Sequence, residues 1–252
     1  MGFEQYKKDF DRDGFVIVRN FLGKEEFQEL KNNLDRYVRE IVPGLPDADA
    51  FYHDRGRPET LKQMQHMGAN DAYFDSYRGN RRWLELAQAL LGEPVEANEP
   101  EWFNKPPNTD HPTPPHQDNY YFCLRPPSVI TIWLALDPVG EENGCLRYVA
   151  GSHLRGVRSH SSSKILGFSQ GITDFRDEDR ARELKILLDP GDAVVHHGNT
   201  IHRAEPNRTT DRDRRAFAMV VQGISCRRDP EAFQRYSDAV KAQHEEMGLK
   251  TA

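Results

Sequence analysis

HPTPPHQDNYYF (residues 111–122) is answered farther along the chain by AVVHHGNTIH (193–202), and these two stretches set the reading of the whole sequence. In the first, Asp118 follows His116 by two positions. In the second, His202 closes a short apolar run, 84 residues after Asp118. Side chains two apart on a strand share a face, so His116 and Asp118 can point together into a sheet interior. His202 must then arrive from a facing strand, as a jelly roll with several intervening strands would supply it. Two imidazoles and a carboxylate are the donor set that holds a non-haem iron(II) on one face and leaves the other open to substrate and O2. An H-x-D pair alone is a weak signal, but its Pro-flanked strand entry and the second strand end give it context. A single histidine is more often a hydrogen-bonded or surface imidazole. His111, His153, His160, His196 and His197 are read as loop or surface groups or as partners behind the ligands, His197 being the nearest rival ligand.

Outward from these stretches, residues 95–222 carry short β-rich runs broken by Pro, Gly, Asn and Asp clusters, the pattern of an antiparallel sandwich or barrel. The runs are Ala97–Phe103, His116–Leu124, Val129–Leu136, Leu146–Val149, Leu184–Leu188, Ala193–His196 and Phe217–Gln222, with turn chemistry at Asp137-Pro138, Glu142-Asn143-Gly144 and Asp189-Pro190-Gly191-Asp192. Residues 151–179 are polar and poor in strand signals, and read as a long insert across the barrel mouth. Before the β-rich part, Phe15–Val18 reads as a short strand. Lys24–Ile41 places Phe27, Leu30, Leu34, Val38 and Ile41 at helical spacing, and Arg81–Leu91 repeats the pattern before Gly92. Asp229-Pro230 starts a last helix that reaches about residue 247. The expected fold is mainly β with flanking helices: one domain over 1–252, its N-terminal part (about 1–94) helical, a core over about 95–223 and a C-terminal helix over about 229–248.

Composition narrows the function classes. The chain of 252 residues is 37% hydrophobic with a mean hydropathy of −0.79, and no apolar run approaches the ~20 residues of a membrane-spanning helix. A net charge of −6 argues against nonspecific nucleic-acid binding, which needs Lys and Arg to neutralise phosphates. The start lacks a secretory pattern, so a cytoplasmic location is expected. Cys123, Cys145 and Cys226 are odd in number and far apart, which suits reduced thiols. Oligomeric state is not readable.

Six stretches carry a resemblance to a known family: DGFVIVRNFLGKEEFQEL (13–30), ALLGEPV (89–95), HQDNYYF (116–122), ITIWLALDPVGEENGCLRYVAGSH (130–153), DPGDAVVHHGNTIH (189–202) and PNRTTDRDRRAFAM (206–219). Together they resemble the phytanoyl-CoA dioxygenase family of iron(II)/2-oxoglutarate oxygenases. The resemblance implies a double-stranded β-helix (jelly-roll, cupin-like) core, with His116, Asp118 and His202 as iron ligands and 2-oxoglutarate and O2 as cosubstrates. It also implies an arginine after the distal histidine for the far carboxylate of 2-oxoglutarate, here Arg214 or Arg215. Arg214 matches better, although it lies twelve residues after His202 and not the more usual eleven. A guanidinium offers a planar fork that fits a carboxylate and stays charged. Trp133 matches a position near the cosubstrate. Ala204 stands where relatives often carry Ser, which removes one expected hydrogen bond. Because Asp118 is a carboxylate and not the small residue of halogenating relatives, the resemblance implies hydroxylation with release of succinate and CO2.

Candidate substrate contacts are Asn104 and Lys105 before the metal motif, Tyr120, Tyr121 and Thr131 inside the barrel, and Arg158, His160 and Lys164 on the insert, where RSHSSSK could clamp a carboxylate or phosphonate. These favour a small polar or zwitterionic metabolite, such as an amino acid or aminoalkylphosphonate. Alternatives are an acyl-CoA or lipid-like substrate, a non-catalytic jelly-roll binding protein, and a zinc hydrolase that uses the same donors with a metal-bound water.

Overall fold

All seven residues of Val129–Ala135 are buried, as a central strand covered on both faces demands. The computed structural model describes residues 2–165 and 168–246, without the side chains of 163–165, 168–169 and 244–246. In chain order the strands are β1 (Phe15–Val18), β2 (Ala50–Tyr52), β3 (Leu61–Met64), β4 (Val95–Ala97), β5 (Glu101–Lys105), β6 (Thr113–His116), β7 (Leu124–Arg125) and β8 (Val129–Ala135). They continue as β9 (Leu146–Val149), β10 (His160–Ile165), β11 (Phe168–Ile172), β12 (Glu183–Ile186), β13 (Ala193–His197), β14 (His202–Ala204), β15 (Arg214–Gly223) and β16 (Arg227–Arg228). The major sheet runs β1-β13-β8-β15-β5-β3-β2, with β4 also on β15, and the minor sheet runs β12-β9-β14-β6. Every pairing is antiparallel, which gives the two layers of a jelly roll.

Alternation sorts the two faces of the major sheet. Ile130, Ile132, Leu134, Val195, Phe217, Met219 and Val221 face outward into a core shared with two helices, α1 (Lys24–Glu40) and α2 (Arg81–Leu91). Trp83 of α2 is fully buried there, edge-on to Phe21 and Phe217 with ring centroids 5.1 and 5.7 Å away. Asn80 caps α2 by accepting from the Arg82 amide, and Gly92 ends it at φ +76°. The inward face carries Trp133, Val194, Ala135, Ala216 and Ala218, packed with Leu146, Tyr148 and Ala204 of the minor sheet. Ala218 borders a cavity that opens between the layers.

Several expectations require correction. The run His116–Leu124 is not a strand: β6 stops at His116, and Asp118–Phe122 forms a short helix, α3, ended by Cys123 at φ +54°. Ala97–Phe103 is split into β4 and β5 by Asn98-Glu99-Pro100. The N-terminal part is not only helical, since β1, β2 and β3 all join the major sheet. In α1 the buried stripe is Leu30, Leu34 and Tyr37, while Val38 is exposed, because the stripe follows the 3.6-residue turn from 34 to 37. The insert contains the β10–β11 hairpin and a short helix, α4 (Asp177–Ala181). Its base is pinned by Arg158, which pairs with Asp174 and the fully buried Asp179. The last helix, α5 (Pro230–Glu246), begins as expected, with Asp229 accepting from the Glu231 and Ala232 amides; Met247 lies outside the described residues. All three cysteines are free and buried.

Candidate metal centre and the cavity around it

The metal-binding geometry begins with one register pair inside the minor sheet: His202 on β14 lies beside His116 on the neighbouring strand β6, and not on a strand of the opposite sheet. Their ring centroids are 4.1 Å apart. Gln117 is extended (φ −132°, ψ 123°), so the period-two alternation carries past the strand end and Asp118, in the first turn of α3, turns to the same side as His116. Gln117 itself points the other way and is fully buried. Its amide donates to the carbonyls of Gly156 and Asn199 and accepts from the Arg158 amide, which ties the insert to the loop before β14.

Hydrogen bonds fix which atoms face the centre. Nδ1 of His116 meets the Pro114 carbonyl at 2.8 Å and Nδ1 of His202 meets the Thr200 carbonyl at 3.0 Å. A carbonyl only accepts, so both Nδ1 atoms carry the proton and both Nε2 lone pairs are left to coordinate. Each Nε2 lies 3.5 Å from Oδ1 of Asp118, and one donor atom from each of the three residues lies within 4.8 Å of the others. The second oxygen of Asp118 is already occupied, accepting from Thr131 Oγ1 at 2.7 Å and His196 Nε2 at 2.9 Å. A carboxylate oxygen requires His196 to donate from Nε2, so its Nδ1 accepts from the Tyr148 hydroxyl at 2.9 Å. Asp118 thus presents a single oxygen to a metal, oriented by outer partners of the kind that support metal ligands. Burial opposes its charge, but His202, His116 and His196 outweigh that and hold its carboxyl well below the usual range. Burial, reinforced by His116, holds the His202 imidazole well below its ordinary value. Ionised Asp and neutral His are the forms that bind metal. The donor set therefore fits an iron(II) ion with open positions.

Two lobes of cavity meet at His116, Asp118 and Thr131, and His202 lines the first of them. The first, about 140 Å³, runs toward the start of β15 and is lined by Arg214, Lys105, Trp133 and Leu146. Arg214 is 4% exposed, its guanidinium 5.2 Å above the Trp133 ring, and its Nε has no hydrogen-bond partner. Burial pulls it down to about 10, so it is still a cation at neutral pH. Lys105 is its register partner across β15–β5, also buried, with Nζ 3.0 Å from the His111 carbonyl. Burial, then Arg214, draws the Lys105 ammonium well below its ordinary value. Among the described residues no carboxylate pairs with either, and the buried Arg214 cation without a counter-ion calls for an anionic ligand, with Lys105 beside it as a further donor. The second lobe, about 230 Å³, opens on the other side of the centre, between Glu101, Gln63, Tyr121 and Tyr236.

The structure brings His116, Asp118, His202, Thr131, Trp133, Lys105, Arg214 and Tyr121 to this double cavity. Thr131 is bound to Asp118, and the Tyr121 hydroxyl donates to the Gln170 carbonyl at 2.6 Å. Arg215, one residue out of phase with Arg214, faces outward and grips Asp137 at 2.8 and 2.7 Å. Asn104 reaches the cavity edge, but its amide nitrogen is held by Asp213 and the Leu61 carbonyl. Arg158 is taken up by its aspartates. Tyr120 stacks on His160 at 4.0 Å in a separate surface cleft. His160 accepts from the Gln117 amide and bonds the Arg158 carbonyl, and burial lowers it to about 4. The Lys164 side chain lies outside the described residues. His197 accepts from the Asn199 amide and packs toward Phe10 and His153, away from the centre. Missed by sequence reasoning were Tyr148, Glu101, Gln63 and Tyr236, and the contact of His196 with Asp118. The alternation Glu101, Phe103, Lys105 was the available signal for Glu101.

The sequence profile of the family described as "Phytanoyl-CoA dioxygenase (PhyH)" matches residues 10–216. The human protein "Phytanoyl-CoA dioxygenase, peroxisomal" is 25% identical over 218 residues, covering 81% of this chain but only 64% of the human protein. The chain thus spans less than two thirds of the length of that relative. A Stutzerimonas stutzeri protein named "Probable alpha-ketoglutarate-dependent hypophosphite dioxygenase" is 22% identical, with 84% of this chain and 76% of that protein covered. Among solved structures, EvdO2 from Micromonospora carbonacea var. aurantiaca, complexed with 2-oxoglutarate, superposes with a TM-score of 0.70 at 28% identity, covering 90% of this chain and 92% of that one.

Proposed function

From the premise that the chain belongs to the phytanoyl-CoA dioxygenase family, we propose that it is an iron(II)/2-oxoglutarate-dependent oxygenase that hydroxylates a small polar metabolite. The observation that carries this reading is the pairing of the His116, Asp118, His202 centre with a buried, unpaired Arg214 in one continuous cavity. A zinc hydrolase would give that arginine no task.

His116 and His202 through Nε2 and Asp118 through Oδ1 would hold the metal. When bound there, iron(II) supplies the O2 chemistry that turns 2-oxoglutarate into succinate and CO2 and oxidises the substrate. Arg214 and Lys105 receive the far carboxylate of 2-oxoglutarate at the blind end of the first lobe, with Trp133 as its wall. Lys105, read from the sequence as a substrate contact, is better placed for the cosubstrate and compensates for the hydroxyl that Ala204 lacks. Thr131 and His196 keep Asp118 from turning its second oxygen to the metal. The substrate enters the second lobe, whose Glu101, Gln63 and Gln65 favour a polar metabolite over an acyl chain. The hypophosphite dioxygenase relative is in keeping with a small substrate.

The test is succinate formation from 2-oxoglutarate by anaerobically iron-loaded protein after admission of O2. Slow succinate release that a pool of polar metabolites accelerates, and that His116→Ala or Asp118→Ala abolishes in a folded protein, supports the reading. Unchanged succinate release in either variant would sink the ligand assignment.

A further inference from the structure

The two lobes that meet at the metal centre have opposite character. The first is cationic and suits the dianion 2-oxoglutarate. The second contains the Glu101 carboxylate and, among the described residues, no Lys or Arg in its lining; His66 and Arg78 line a neighbouring pocket that Glu101 also borders. Glu101 shares its face of β5 with Phe103 and Lys105 and lies opposite Ala218 of β15, whose methyl leaves the space in front of it open. The buried Gln63 amide donates to it, with Nε2 3.3 Å from Oε2. Among the described residues no Lys or Arg forms an ion pair with it. Burial, with Asp118 adding to it against the opposing Gln63 bond, raises the Glu101 carboxyl to about 7. Glu101 is half-buried, and an ionised carboxylate partly withdrawn from water beside aromatic rings is favoured when a cation joins it.

The surrounding wall is aromatic. Tyr121, Phe122, Tyr236 and Phe103 line the same lobe, and Tyr121 and Tyr236 stand at 73° with centroids 5.8 Å apart. Aromatic faces around one carboxylate attract an organic cation twice, through charge pairing and through the ring quadrupoles. The lobe also includes His116, Asp118 and Thr131, so a ligand seated against Glu101 lies in the same cavity as the metal centre.

We infer that the substrate carries an ammonium group and that Glu101, within this aromatic wall, is the residue that selects it. The inference rests on the oxygenase reading and narrows its substrate to alkylammonium compounds, zwitterions included. A neutral or purely anionic metabolite in this lobe would leave the half-buried Glu101 carboxylate without a counter-charge.

The experiment compares two pools with the full chain, iron-loaded and supplied with 2-oxoglutarate and O2. One pool holds primary to quaternary alkylammonium metabolites; the other holds matched compounds in which the ammonium is replaced by a methyl or tert-butyl group. The expected result is that the ammonium pool accelerates succinate release and the matched pool does not. For the active compound, Glu101→Gln, close in shape but without charge, raises KM by about tenfold or more, the loss of a charge-assisted contact, and Glu101→Asp recovers part of it. Equal or greater acceleration by the neutral pool, acceleration by neither pool, or an unchanged KM in Glu101→Gln overturns the inference while slow succinate release still upholds the oxygenase. Absence of any succinate from the wild-type chain overturns both. The wild-type pool comparison needs no variant, so a poorly folded Glu101→Gln protein leaves the decision intact.

Discussion

Replacing Arg214 with Met removes a buried cation of known surroundings while keeping an unbranched side chain of similar length over Trp133. The guanidinium is 4% exposed, lies above Trp133 and has no hydrogen-bond partner for its Nε among the described residues. Exchanging such a charge for an apolar group is neutral or stabilising, so the ligand-free variant should melt at the same or a higher temperature. The cosubstrate complex should respond in the opposite way. Two charge-assisted hydrogen bonds to a carboxylate contribute about 1.5–3 kcal/mol each. Because Lys105 remains one strand away, the lower end applies, about 3 kcal/mol or roughly 100-fold in Kd. The assay is thermal or urea unfolding of metal-loaded protein, without O2, at a 2-oxoglutarate concentration ~100 times the wild-type Kd. Wild type should gain about 2.7 kcal/mol, and the variant, with ligand near its own weakened Kd, about 0.4 kcal/mol. Equal stabilisation of both proteins by 2-oxoglutarate would refute the assignment of Arg214 to the cosubstrate.

Three further outcomes follow from the geometry. His196→Phe removes a donor from Asp118 Oδ2 and strands the Tyr148 hydroxyl, and metal affinity measured by equilibrium dialysis should fall by about 10- to 100-fold; an unchanged affinity would show that Asp118 needs no such partner. Trp83→Ala empties a fully buried site between Phe21 and Phe217 and should cost about 3–5 kcal/mol in urea unfolding; a loss below ~1 kcal/mol would mean that the helices do not depend on it. The Arg36 guanidinium, bonded at 2.8 Å to both oxygens of Asp71, holds that carboxyl below its ordinary value of 3.8. A depressed carboxyl contributes stability that is fully present above its unfolded value and is lost as pH falls through the folded one. Arg36→Met should therefore destabilise the protein at neutral pH and much less in strong acid, and an equal loss at both would contradict the pairing.

The legible features of the sequence were those governed by local rules. The C-terminal Gly92 of α2, the Asp229 cap of α5, the buried run of β8 and the two-residue spacing of His116 and Asp118 each follow from neighbouring residues, while His202 entered through the family resemblance and its place at a second strand end. What escaped depended on partners far along the chain. Arg214 and Arg215 are adjacent, and only the pairing of β15 with β5 and β8 decides which faces inward; the alternation of Ala216 and Ala218 with Phe217 and Met219 already hinted at Arg214. Asp118–Phe122 reads as a strand from its aromatic residues, yet folds as a helical turn whose first residue is a metal-facing carboxylate. Strands β2 and β3 are short, and only pairing with β5 makes them strands at all. Arg158 and His160 sit in a polar stretch that suggested a substrate clamp, but Asp174, Asp179 and Gln117 claim their polar atoms.

The most direct test is a calorimetric titration in two steps without O2: iron(II) into the chain, then 2-oxoglutarate into the metal-free and the iron-loaded protein. The expected result is one iron(II) per chain, lost in His116→Ala, and 2-oxoglutarate that binds far more tightly once the metal is present, because the centre and Arg214 hold its two ends. Iron binding that survives His116→Ala, or 2-oxoglutarate indifferent to the metal, would contradict the assignment of this cavity to an iron(II)/2-oxoglutarate oxygenase.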